Sequence, residues 1–176
     1  MKVLTVVLAL AASTALAQSP AAPPKPGPEQ KRLAYFVGNW TNEADVKPSA
    51  FGPGGKVKGT ETCEWSAGGF AVVCRNEGTG AMGEMKGIGV LAYDPDAKEY
   101  TYFSVNSMGM IETGRGKVDA GTWTWTSESK MGGKLVKSRF IMKESSPTSY
   151  TMKWETLSDT GAATTIMEGA ARKSGS

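Results

Sequence analysis

The chain has 176 residues, a formal charge of +3 and no histidine. That length suits one domain once the N-terminus is set aside, and the scattered lysines form no basic stripe of the kind that binds nucleic acid. The missing histidine excludes Ser-His-Asp and Cys-His catalysis, His-Glu-x-x-His zinc sites and a His-ligated haem.

In chain order, Lys2 precedes an apolar run from Val3 to Leu10 that continues through Ala11 and Ala12. Ala15-Leu16-Ala17 is a small-x-small cleavage site, so residues 1–17 read as a signal peptide and Gln18 as the mature start. The run is too short to span a bilayer, and no later stretch is apolar enough for a transmembrane helix. No cysteine follows the cleavage site as a lipid anchor. The expected location is therefore the periplasm or the extracellular space. Residues 18–28 (QSPAAPPKPGP) read as a Pro-rich disordered tether, and 29–176 as a single domain. Glu29 to Phe36 is expected to form about two helical turns, ended by Gly38.

From Trp40 onward the sequence reads as strand, turn, strand. Ten candidates cover 39–46, 56–66, 70–77, 84–93, 99–107, 110–118, 122–128, 134–143, 149–156 and 164–172, rich in Thr, Val, Ile, Tyr, Phe and Trp. Gly, Pro and Asp clusters separate them, and links this short imply antiparallel neighbours. Trp123 and Trp125 alternate with threonines. Tyr150, Met152 and Trp154 oppose Thr151, Lys153 and Glu155, while Phe140 and Met142 share a face with Val136. One covered face and one wet face, without covering helices, predict an all-β protein: a closed antiparallel up-and-down barrel of about ten strands with a short N-terminal helix. A two-sheet sandwich is the alternative.

Cys63 and Cys74 flank a turn centred on Gly68 and Gly69, which sets them directly opposite each other. A cross-strand disulfide is the expectation, in keeping with an oxidising compartment. The alternative is a pair of reduced core thiols.

Several strings imitate chemical motifs. Gly87-Ile88-Gly89-Val90-Leu91-Ala92 matches a Gly-x-Gly-x-x-Ala pattern but runs on as a strand, where a dinucleotide fingerprint needs a helix. Gly52-Pro53-Gly54-Gly55-Lys56 lacks the Ser or Thr that ends a phosphate loop. Asp94-Pro95-Asp96 lacks the central glycine of a calcium loop and reads as a turn. Met82, Met85, Met108, Met110, Met131, Met142, Met152 and Met167 suit either core filling or a lumen that adapts to apolar guests. Without histidine they make no copper site, and no metal or cofactor is expected.

Gly38-Asn39-Trp40 after a short helix resembles the entry motif of lipocalin-type barrels. In those barrels the tryptophan plugs the closed end and a basic residue from late in the chain packs over it. The resemblance implies structural roles for Gly38 and Trp40, with Arg172 as the covering cation. Three further blocks, Gly59 to Gly78, Gly87 to Pro95 and Ser107-Met108-Gly109, join Met167-Glu168 through Arg172-Lys173. Together they resemble domain-of-unknown-function family 1579, a bacterial calycin-like barrel family, over about Leu33 to Lys173. That family brings no established activity or catalytic residues. The related nitrobindin-type barrels hold haem through a histidine, which this chain lacks.

The favoured functional reading is an exported barrel that takes a small, largely apolar ligand in its lumen. Tyr102, Trp123, Trp125, Phe140, Met142, Met152 and Trp154 are the expected lining, and Glu112 and Glu168 the candidate inward charges. The alternative is a structural or protein-interaction module of the cell envelope. An enzyme would need a carboxylate acid/base such as Glu112 or Glu168. Nothing in the sequence sets the oligomeric state or the ligand's identity.

Overall fold

Strand-forming residues and turn-forming residues sort cleanly along the chain. The computed structural model describes residues 23–175, apart from Phe51 and Gly132. The expected signal peptide and the first part of the tether, 18–22, lie outside those residues.

A short helix, α1 (Pro28–Arg32), continues into a 3-10 turn at Leu33–Tyr35. Pro28 suits the first helical position, and Gly27 N–H donates to Gln30 Oε1 at 3.0 Å. A helix this short is not stable on propensity alone, so packing holds it. Ten strands follow: β1 (Gly38–Val46), β2 (Gly55–Ser66), β3 (Ala71–Gly80), β4 (Gly83–Asp94), β5 (Glu99–Asn106), β6 (Ile111–Asp119), β7 (Thr122–Met131), β8 (Lys134–Ser146), β9 (Ser149–Leu157) and β10 (Ala163–Lys173). Each pairs antiparallel with its neighbours in sequence, and β1 pairs with β10, so the sheet closes on itself. Closure leaves no free edge. A sandwich is thereby excluded.

The helical segment closes one end. Leu33 and Phe36 are buried there with Trp40, Val72, Tyr100, Trp123, Tyr150 and Ala171. Phe36 and Tyr100 both meet Trp123 edge-on with centroids 4.8 Å apart, and Trp40 lies 5.0 Å from Tyr150. Each large ring removed from water contributes about 1.5–3 kcal/mol. Two polar contacts fix the plug: Trp40 Nε1 donates to Phe36 O at 2.7 Å, and Trp123 Nε1 to Glu144 Oε1 at 2.7 Å. Arg32 pairs with the same Glu144 oxygen and lies over the Trp123 ring, 5.2 Å from its centroid.

The cation over Trp40 is Lys173, with Nζ 5.1 Å from the ring centroid, and not Arg172. Trp40 stands opposite Lys173 in the ladder, whereas Arg172 stands opposite Thr41 and points to solvent. Gly38 has φ +124°, a left-handed conformation open to glycine, where the chain leaves the 3-10 turn for β1. Cys63 and Cys74 are disulfide-bonded across β2 and β3.

The barrel lumen as candidate site

Directly paired residues share a face of the sheet, so buried Trp40 sets which side is inward all the way round. Trp40 faces Glu61, Glu61 faces Asn76, and Asn76 faces Gly87. From β5 to β9 the inward rows are Tyr102–Gly114–Ser127–Ser138–Thr156, then Gly116–Trp125–Phe140–Trp154, then Val118–Trp123–Met142–Met152.

Tyr102, Trp123, Trp125, Phe140, Met142, Met152 and Trp154 therefore all point inward, at different depths. Trp123 and Met142 are buried in the sealed end, and Trp125 stacks on Trp123 at 4° between planes. Tyr102, Phe140, Met152 and Trp154 face the interior yet remain half-buried. Glu61, Asn76, Ser104, Glu112 and Ser127 share that state. Inward residues that water still reaches mark the half of the lumen that is open. The first group forms the floor, and the second is what a guest would touch.

The methionines divide along the same axis. Met142 is in the floor, and Met152 and Met167 are half-buried on inward positions. Met82, Met85, Met108 and Met110 lie at the open rim beside exposed Ile111 and Leu135. The side chain of Met131 lies outside the described residues. The rim methionines thus do not fill a core.

The two carboxylates expected inside part company. Glu112, on β6, faces inward; it accepts from Tyr102 Oη at 3.0 Å and from Ser127 Oγ. Tyr102 Oη also contacts Ser104 Oγ at 2.7 Å, and Ser127 Oγ contacts Ser138 Oγ at 2.8 Å, giving a connected polar network from β5 to β8. Glu168 stands on the outer wall. It is opposite Asp45 and Lys153 in the ladder and pairs with Lys47 at 3.8 Å. That placement removes it from the lumen and from any acid/base role there.

A third carboxylate, Glu61 on β2, faces inward and was absent from the expected set. Desolvation pushes its pKa up to about 7, against the smaller opposing effect of a hydrogen bond from Asn76. The same carboxylate raises the pKa values of Tyr102 and Tyr150, though burial is the larger cause for both hydroxyls. The signal for Glu61 lay two residues away: it shares a strand face with Cys63, which is buried inside the barrel. Glu61 also lies within 4.8 Å of both sulfurs. The sulfurs are joined to each other, so no thiolate is offered to a metal.

A cavity of about 670 Å³ straddles β5–β8. Its lining mixes inward Tyr102, Ser127 and Ser138 with outward Thr113, Arg115 and Thr126, around Gly114. A second, of about 400 Å³, surrounds Gly59 and Gly78 on β2 and β3. Both are features of the wall where a strand lacks a side chain. The lumen is defined by the inward register.

The Gly87–Ala92 string is strand β4 without a break, so no helix N-terminus is present for a pyrophosphate. Asp94 Oδ1 accepts from the backbone N–H groups of Asp96 and Ala97, each at 3.1 Å, so this segment is a turn. Those bonds, that of Ala97 foremost, hold the Asp94 carboxyl below its usual range.

A closed ten-stranded meander, plugged at one end by a short helix and Trp40, defines a lipocalin-like barrel. The chain belongs to the family described as "protein of unknown function (DUF1579)", whose profile matches residues 25–173. It is similar in fold to Rv2717c from M. tuberculosis, with a TM-score of 0.59 at 9% identity over 85% of this chain and 99% of that one. It is likewise similar to the S-type phycobiliprotein lyase CPES from Guillardia theta, with a TM-score of 0.54 at 11% identity over 84% and 93%. No curated protein matches the chain.

Proposed function

We propose that this protein is an exported carrier or receptor that holds a small, largely apolar molecule in the open half of its lumen. The observation that supports the reading is the exposure pattern. Aromatic and thioether side chains point into a barrel that is sealed at one end, yet those of the other half stay half-buried. Apolar surface left wet inside a concavity favours a guest that covers it. The N-terminal signal and the Cys63–Cys74 disulfide support export to an oxidising compartment. N-terminal sequencing of the mature protein should begin at Gln18.

Titration with the neutral fluorophore N-phenyl-1-naphthylamine tests lumen binding. Probe emission should rise and shift to the blue. Met152→Trp, which fills the open half, should weaken uptake at least tenfold while near-ultraviolet dichroism keeps its folded form. No uptake, or uptake indifferent to that substitution, would overturn the reading.

A second reading has its own support. Met82, Met108, Ile111 and Leu135 are exposed around the open rim, as on a surface that meets another protein. Cross-linking in envelope extracts that recovers one reproducible partner, with capture lost on Ile111→Ser and Leu135→Ser, would favour it.

A further inference from the structure

The open half of the lumen carries a charge imbalance that bears on what it holds. Glu61 and Glu112 face inward from opposite stretches of the wall, on β2 and β6. Both are linked to Tyr102: Glu112 accepts a hydrogen bond from its hydroxyl at 3.0 Å, and the charge of Glu61 acts on the same hydroxyl. The hydrogen-bond donors they have are neutral: the Asn76 amide for Glu61, and the Tyr102 and Ser127 hydroxyls for Glu112.

No cation answers them. Among the described residues, the inward positions carry Lys134 at the exposed rim and Lys173 at the sealed end, over Trp40. Arg32, also at the sealed end, is committed to Glu144. The arginines and lysines of the middle strands, including Arg115, Lys117, Arg139 and Lys153, are on the outer wall, paired there with Asp94, Glu99 and Glu155. Buried or half-buried carboxylates are ordinarily paired, and leaving them without a counter-charge is costly. Tyr102 brings a ring to the acids, beside the neutral Ser104, Ser127 and Asn76, and Phe140 and Trp154 face the same open half of the lumen. Ring faces attract cations and repel anions.

From these three observations we infer that the lumen selects a ligand with an apolar body and a cationic, amine-type group, the ammonium lying between Glu61 and Glu112 beside the Tyr102 ring. This rests on the lumen-binding reading and narrows it. An ammonium would supply the missing counter-charge, donate to carboxylate oxygens with spare acceptor capacity, and meet the Tyr102 ring. A carboxylate or sulfonate on the same body would meet two like charges and no compensating cation.

The test uses three probes of one skeleton: 2-naphthylmethylammonium, 2-naphthylmethanol and 2-naphthoate. Affinities are measured by isothermal titration calorimetry on the mature protein at pH 8, where the first is cationic and the last anionic. The ammonium should bind at least tenfold more tightly than the alcohol, and the naphthoate more weakly than either. Glu61→Gln and Glu112→Gln should each reduce the ammonium-to-alcohol affinity ratio at least threefold. Met152→Trp should abolish all three. Equal affinity for ammonium and alcohol, or tighter naphthoate, would overturn the inference and leave a lumen that binds apolar guests. Binding of none of the three would overturn that broader reading with it. A preference for ammonium that survives both glutamine substitutions would assign the selectivity to other groups and sink the inference as well.

Discussion

Glu61 links the chemistry of the lumen to the stability of the fold. In the unfolded chain its carboxyl ionises near 4.5; in the barrel it does so near 7. Across that window the folded protein binds a proton that the unfolded chain releases. The contribution of this group is therefore fully present below about pH 4.5 and is lost as pH rises through about 7. Glu61→Gln removes that dependence. At pH 8 the variant should be more stable than the parent by about 1–3 kcal/mol, with little difference at pH 4.5, in paired urea unfolding curves. A parent-to-variant difference that does not grow with pH would show that Glu61 is solvated as in the unfolded chain. A second residue-scale prediction concerns Gly116. A Cβ there would lie 2.4 Å from Trp125 Cε3, and the ring cannot retreat because it stacks on Trp123. Gly116→Ala should cost about 1–3 kcal/mol as overpacking, read from paired urea unfolding curves. At this scale the sequence was legible where side chains alternate by polarity. Trp123, Trp125, Phe140, Met142, Met152 and Trp154 each sit beside a Thr, Lys or Arg neighbour that marks the outer face. It failed where alternation gave no sign, in β10. Placing Arg172 over Trp40 puts Glu168 inside, since the two are four residues apart and share a face. Lys173 holds that place, and the one-residue shift turns both Arg172 and Glu168 outward.

At the scale of elements, glycine and proline clusters marked every turn, because a chain reversing direction needs left-handed or preset backbone angles wherever it does so. Strand ends differ from expectation by up to three residues, chiefly where β7, β8 and β3 run on into polar tips. Apart from Met131 those extensions carry only glycine and polar residues, so no apolar alternation announces them. The expected two helical turns are present, the first as α-helix and the second tightened to 3-10, which carries Leu33 and Phe36 to the barrel end. The β2–β3 hairpin offers the clearest element-scale prediction. Its disulfide closes a loop between positions eleven apart, and in the chain-entropy view such a loop contributes about 2–3 kcal/mol by restricting the unfolded state. Cys63→Ala with Cys74→Ala should lower unfolding free energy by about that amount and leave the far-ultraviolet spectrum unchanged, because the β2 ladders to β1 and β3 persist. Loss of the β spectrum in the double variant would mean that the bond is required for the barrel to close.

Taken whole, the molecule is polar in the geometric sense: one end is filled and the other is not. The plug of Leu33, Phe36, Trp40, Trp123 and Tyr150 is a buried, largely aromatic cluster, and among the described residues no comparable buried cluster stands at the rim. Methionine reactivity should report this polarity directly, since oxidation of a thioether follows its access to solvent. Met82 is 63% exposed and Met108 51%, whereas Met142 is 2% exposed in the floor. Under dilute hydrogen peroxide, peptide mass spectrometry should find Met82 and Met108 oxidised at least tenfold faster than Met142. Met152 is the informative residue. It lies directly opposite Met142, but one strand further round and half-buried in the lumen, so its rate should be intermediate. Saturating 2-naphthylmethylammonium should slow Met152 and leave Met82 and Met108 unchanged, because a guest in the lumen covers the first and not the rim. Protection of Met82 and Met108 with no effect on Met152 would place the guest at the mouth, on the surface that the partner-binding reading requires. Equal rates for Met142 and Met108 would mean that the floor is not sealed, and that the barrel is a channel open at both ends.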